Sequence, residues 1–250
     1  MRQITPTVKH LLIINIIVFL CTYLLGNKEL FYGLLALYYP LSDYFMPWQV
    51  FTHMFMHGGL MHVGFNMFAL WMFGSPVEQA LGTKKFLFVY ISAGLGAVLF
   101  QLGYYYFNYV PTFSALEASG VASDTIVNIM NTGSWNFQTT NLQEAQLNAL
   151  YPIYNASMVG ASGCIMGILA AFGMMNPEAK LMMIFLPIPI KAKYFIPGII
   201  ILDVISAISG QSFFSPSNTA YMAHVGGAIT GFVIMWYWKR TQFNKNRWDL

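Results

Sequence analysis

Met158-Val159-Gly160-Ala161-Ser162-Gly163-Cys164 opens an apolar run that continues to Met175. A hydroxyl between two glycines at the mouth of a hydrophobic helix is either packing material for a close helix contact or a nucleophile. Two other stretches decide between them: His53-x3-His57-x4-His62-x3-Asn66, and Ala223-His224-Val225-Gly226-Gly227. Four of the five histidines lie there, each at or near the start of another apolar segment. The three clusters read as parts of one site.

Composition sets the frame. The 250 residues are 57% hydrophobic and 8% charged, where a soluble domain carries about 25% charged residues. That balance indicates a polytopic membrane protein and argues against a soluble enzyme with a large core. Cys21 and Cys164 both fall in apolar segments, so neither a disulfide framework nor a thiolate metal site is suggested. The start of the chain has a basic front (Arg2, Lys9) and an apolar body, but no small-x-small site follows Leu25. It reads as a retained first helix.

Six segments are apolar enough to cross a bilayer: roughly 10–26, 57–76, 86–107, 157–175, 194–210 and 222–238. Residues 27–56 are aromatic and broken by prolines, which suits an element at the membrane interface. Residues 108–156 form one polar insert without Lys or Arg, in which 143–150 can form a short helix. Leu181–Ile190 is apolar, but Pro187 and Pro189 exclude a regular span, so a re-entrant or interfacial approach is expected. With the amino terminus inside, eleven of the twelve basic residues fall on the inner side and Lys28 alone outside. The positive-inside rule then places both termini in the cytoplasm and the insert outside it.

This topology makes the second, fourth and sixth helices run from outside to inside. His57 and His62, Ser162, and His224 therefore start their helices at one level near the outer face. Gly163-x3-Gly167 and Gly227-x3-Gly231 are small-xxx-small faces that let two backbones approach. The Ser162 hydroxyl and the His224 imidazole can then meet as nucleophile and base. His62 and Asn66, four apart on a helix, can aim donors at a common point, beside the backbone N–H groups at the start of the fourth helix.

These motifs resemble those of the rhomboid family of intramembrane serine proteases. Gly160-Ala161-Ser162-Gly163 matches the family's G-x-S-G, His57-x4-His62-x3-Asn66 its H-x4-H-x3-N, and Ala223-His224-x2-Gly227-x3-Gly231 its A-H-x2-G-x3-G. The likeness covers about residues 10–240 apart from the insert. It implies an all-α, six-helix membrane bundle with an interfacial first loop. It also implies a Ser162–His224 dyad with no acidic third member, and an oxyanion hole from the Ser162 N–H, His62 and Asn66. No cofactor or metal is implied. The substrates would be transmembrane helices of other proteins, cut near their outer ends, with access between the second and fifth helices beneath the 28–56 and 210–221 loops. The expected location is a bacterial inner membrane, with the site opening to the extracytoplasmic side.

Two positions depart from the pattern. Many relatives have Trp-Arg where this chain has Trp48-Gln49, which puts the stability of the first loop in question, while Glu78 keeps an acidic position associated with that arginine. Met166 stands where some bacterial members place a tyrosine under the catalytic ring, so a thioether support for His224 is expected. His53 and His57 lack the intervening glutamate of a metalloprotease helix and read as ties between first loop and second helix. Asp203, a carboxylate in the fifth span, needs a partner; it can orient a donor near the site or cap polar backbone near the outer interface, and the structural role is the favoured reading. The cationic stretch from Lys239 to Arg247 is topological and contacts headgroups, not nucleic acid. A second function class stays open, a non-proteolytic protein that binds transmembrane helices; such a relative would be expected to lack Ser162 or His224.

Overall fold

The helix that begins at Ser162 is the axis of the molecule. It runs to Met175, and every residue from Gly163 to Phe172 is buried. A helix apolar on all sides has no face to offer water and lies either within protein or against lipid; this one is enclosed by protein. The computed structural model describes residues 3–25, 27–134, 139–183, 186–211 and 220–245.

In chain order, α1 (Pro6–Leu24) starts with proline, whose missing N–H costs nothing in a first turn. The first loop holds α2 (Lys28–Leu35), β1 (Leu37–Tyr38) and α3 (Gln49–Thr52). The second membrane helix is α4 (Leu60–Ala69), a π turn (Leu70–Gly74) and α5 (Ser75–Leu81), helical throughout. The wide turn comes just before Pro76, whose ring cannot donate to the Met72 carbonyl and would collide with it. Then follow α6 (Thr83–Ala118), α7 (Ser123–Thr132), α8 (Asn141–Tyr154), β2 (Ser157–Met158), α9 (Ser162–Met175), β3 (Lys180–Met183), β4 (Leu186–Lys191), α10 (Ala192–Ser209) and α11 (Tyr221–Lys245).

α6 and α11 pack on α9 from two sides, and the π-containing helix and α10 border it as well. Around this core lies a belt of exposed Ile13, Ile17, Leu20, Leu99, Ile201, Ile208, Phe232 and Val233. Such a belt suits contact with hydrocarbon and not with water. The six-helix arrangement read from sequence holds, with shifted limits.

The largest shift is at the fourth helix. Residues 157–161 are not helical: Leu37 pairs with Met158 and Tyr38 with Ser157 in a short antiparallel ladder. The 14-residue α9 is thus about 21 Å long, shorter than a hydrocarbon core of about 30 Å. The first loop is stitched to the strand entering it.

The polar insert is also more ordered than its composition suggests. α6 has 36 residues, about 54 Å, and its last part projects past the bundle to pack with α7 and α8. Tyr109, Leu116, Ile126, Ile129, Met130, Leu147, Leu150 and Tyr154 close a small core, to which the first loop adds Tyr39. Apolar residues at helical spacing among many polar ones make these helices amphipathic. A capping box between Thr140 and Gln143 starts α8.

The described residues of the proline-containing stretch, 180–183 and 186–191, are extended strands and not a helix. β3 and β4 pair antiparallel, Lys180 with Lys191 and Leu181 with Ile190, at the end opposite Ser162. Pro187 and Pro189 sit two apart in an edge strand, where their lack of N–H donors is tolerated.

Candidate active site

Ser162 Oγ lies 2.9 Å from His224 Nε2, and His224 Nδ1 lies 2.9 Å from Asp203 Oδ2. A hydroxyl from α9, an imidazole from α11 and a carboxylate from α10 form one line. The Asp203 side chain is 1% exposed and that of His224 12%. Because a carboxylate only accepts, Nδ1 carries the proton, and Nε2 presents its lone pair to the serine hydroxyl. The resemblance implies no acidic partner for the histidine, yet the Asp203 carboxylate meets the imidazole directly; of the two roles open to Asp203 from sequence, this contact fits the orienting of a donor near the site.

His62 has a second fixed tautomer. The Gly58 backbone N–H donates to His62 Nδ1 at 3.2 Å, so the neutral ring bears its proton on Nε2. That nitrogen faces Gly160: a Cβ built there would stand 2.8 Å from His62 Nε2 and 3.6 Å from Ser162 Oγ. Gly160 has φ +128°, a conformation side chains resist. It is glycine for both reasons, and it lets a donor approach the serine. The Gly160 N–H donates to the His53 carbonyl at 2.9 Å, and His53 Nδ1 donates to the Gln49 carbonyl at 2.8 Å. His57 packs edge-on against the His62 ring at 5.1 Å. Asn66, one turn beyond His62, is buried, and its Nδ2 meets no acceptor among the described residues. The first-turn N–H groups of α9 receive no side-chain cap.

Glycines bring the helices close enough for this. A Cβ on Gly227 would strike the Gly163 carbonyl, one on Gly231 the Gly167 carbonyl, and one on Gly163 the Ala97 methyl group of α6. The start of α11 is held by Gln101, whose Oε1 accepts from the Ala223 N–H at 3.2 Å. Met166 is buried in the main core with Ile165 and Leu169.

Gln49, after Trp48, ties the first loop together. Gln49 is fully buried, donates to the Gly33 and Tyr44 carbonyls at 2.8 and 3.0 Å, and accepts from the Met46 and Tyr38 N–H groups at 3.0 and 3.4 Å. Glu78 takes no part in that loop. It accepts from the Thr7 and Val8 backbone N–H groups and from the Thr7 and Thr83 hydroxyls, tying the start of α1 to the end of α5.

The structure thus brings together Ser162, His224, His62, Gly160 and, on the flank, Asn66 and His57. Sequence reasoning did not name His224 as the partner of Asp203, and it missed the Gly58 donor and the His53 carbonyl. A buried carboxylate in an apolar span was the one signal available for the first; backbone groups leave none. The 212–219 part of the expected cover loop lies outside the described residues.

The family model described as "Rhomboid domain" matches residues 44–241. The human presenilin-associated rhomboid-like protein, mitochondrial, is 31% identical over 184 residues, which is 73% of this chain and 35% of that protein. Rhomboid protease AarA of Providencia stuartii is 28% identical over 196 residues, 75% of this chain and 54% of the relative. Rhomboid protein 1, mitochondrial, of Saccharomyces cerevisiae is 26% identical over 184 residues, 73% of this chain and 39% of the relative. The chain therefore spans about a third to a half of the length of the curated relatives it matches. With the domain matched across most of its length and the helical bundle to go with it, this chain belongs to the rhomboid family.

Proposed function

We propose that the chain is an intramembrane serine endopeptidase that hydrolyses peptide bonds in or near transmembrane helices of other proteins. The observation that carries this reading is the 2.9 Å approach of Ser162 Oγ to His224 Nε2 at the start of α9. Oγ attacks the scissile carbonyl carbon, the hydroxyl proton passes to Nε2, and the carbonyl π pair moves to oxygen. That oxyanion is collected by the first-turn N–H groups of α9, by His62 Nε2–H and by Asn66 Nδ2. The imidazolium returns its proton to the leaving amine. Water, activated by the same base, releases the acyl group. No cofactor or metal is needed for these steps.

The skew of basic residues supports placing both termini in the cytoplasm, with 27–56 as an interfacial loop and 108–156 on the extracytoplasmic side, where the site opens. A bacterial inner membrane is the placement we favour, as one multi-pass unit over 1–250. The partners are then transmembrane substrates and lipid.

The test is reconstitution in liposomes with a model transmembrane substrate, comparing the parent with Ser162→Ala and His224→Ala. Both variants should be inactive, and a serine-reactive phosphonate should label the parent at Ser162 alone. Cleavage that survives either substitution removes the assignment, and intact folding without cleavage by the parent favours a protein that only binds helices.

A further inference from the structure

We infer that Asp203 is a positioning residue for the reaction, holding the His224 imidazole in the tautomer and orientation in which it accepts the Ser162 proton, so that this chain works with three groups in line. The inference rests on the protease reading of Ser162 and His224 and deepens it.

The argument starts from cost. Asp203 lies two-thirds of the way along α10, an apolar helix of 18 residues, and is 1% exposed. A carboxylate buried at such a position is costly unless it is hydrogen-bonded, and it then usually has a function. Its Oδ2 is 2.9 Å from His224 Nδ1, on the far side of the ring from Ser162. An imidazole between a carboxylate and a hydroxyl has one neutral arrangement that satisfies both contacts: proton on Nδ1, lone pair on Nε2. The opposite tautomer would aim an N–H at the serine and a lone pair at the carboxylate. Asp203 thus excludes the unproductive form before substrate arrives.

It also acts during the step. When Oγ bonds to the carbonyl carbon and its proton moves to Nε2, the ring becomes a cation. Asp203 keeps its charge, and the Nδ1 proton stays on nitrogen, so the carboxylate stabilises the imidazolium without a second transfer. Among the described residues, the charged or titratable groups that face His224 are Asp203 from α10 and His62 from α4. His62 is the neutral donor described above, so Asp203 supplies the negative charge. No sequence spacing links positions 203 and 224; the contact exists because α10 packs along α11.

The experiment uses the full chain in liposomes and follows cleavage across pH. Asp203→Asn and Asp203→Leu should both lower kcat by about 10²- to 10⁴-fold with KM nearly unchanged. The acid limb of the pH–rate profile should move to lower pH, since the imidazolium loses its counter-charge. Asp203→Glu should restore part of kcat if the longer side chain reaches Nδ1. A merely structural carboxylate would lower the melting midpoint and leave the profile of the remaining folded enzyme where it was. Either variant folding normally with parental kcat and profile overturns the inference. If neither variant folds, nitrogen chemical shifts of the parent's His224 decide: a protonated Nδ1 and bare Nε2 support it, and the reverse overturns it. Failure of the protease reading looks different, because the parent itself would then neither cleave nor take up the phosphonate.

Discussion

Gly227 sets its Cα against the Gly163 carbonyl so closely that no carbon atom fits between them. That contact, repeated one turn on between Gly231 and the Gly167 carbonyl, fixes α11 on α9 and with it the span from His224 to Ser162. Hydrophobic burial does not distinguish inside from outside for helices in lipid, so close backbone packing carries much of their association.

Gly227→Ala should therefore force the two helices apart. The expected loss is about 1–3 kcal/mol or more in folding stability, seen as a lower melting midpoint in detergent, with cleavage activity falling further than stability. Gly198→Ala is the control. A Cβ at Gly198 meets nothing within 4 Å, so this change should leave the midpoint equal or slightly higher. Equal effects at the two positions would contradict the packing argument.

Much of this site is legible in sequence because its parts follow helix periodicity. Ser162 between glycines, the four-residue step from His62 to Asn66, and the Gly227–Gly231 face each declare a helix surface. Asp203 escapes that logic. Its partner comes from another helix, and only the packing of α10 on α11 brings the two together. The 157–161 segment escapes for another reason. Apolar windows do not separate a helix from the strand and turn that precede it, and the β1–β2 ladder depends on residues more than a hundred positions away. The insert was hidden by its polar outer faces, which mask the few inward residues that make its core.

The first loop offers a second prediction. Gln49 satisfies four backbone groups from one buried side chain. Gln49→Ala would leave several of them unpaired, and the expected cost is about 2 kcal/mol or more. Because the same residue's carbonyl holds His53, whose own carbonyl holds Gly160, the effect should reach the active end. We expect a lower melting midpoint together with lower kcat/KM. A midpoint equal to the parent's would show that water replaces the side chain at no cost.

At the opposite end the prediction is electrostatic. Hydrogen bonds from Lys191 and Lys193 hold the Glu178 carboxyl at about 2, below its ordinary 4.5, with Nζ–O distances of 2.7 and 2.5 Å. A carboxyl depressed in the folded state contributes stability above its unfolded value and loses it as pH falls through the folded one. The window is thus from about 4.5 down to 2. The three groups are exposed, so the effect should be small and fade in about 1 M salt. Thermal melts of the parent and Glu178→Gln should converge as pH falls through that window. A difference that stays constant there would exclude the ion pairs as its source.

The last prediction separates strain from chemistry at Gly160. Alanine there would meet His62 Nε2 at 2.8 Å while forced to a φ of +128°. The backbone penalty alone is about 1–3 kcal/mol. If the proposed role of His62 holds, the displaced ring also ceases to donate to the oxyanion, and loss of one such donor lowers turnover by about 10²- to 10³-fold. Gly160→Ala should then fall to about the activity of His62→Ala, and the double substitution should be no worse than either, because both remove the same interaction. Multiplying losses in the double variant would mean that Gly160 and His62 act separately, and the oxyanion role of that ring would have to be given up.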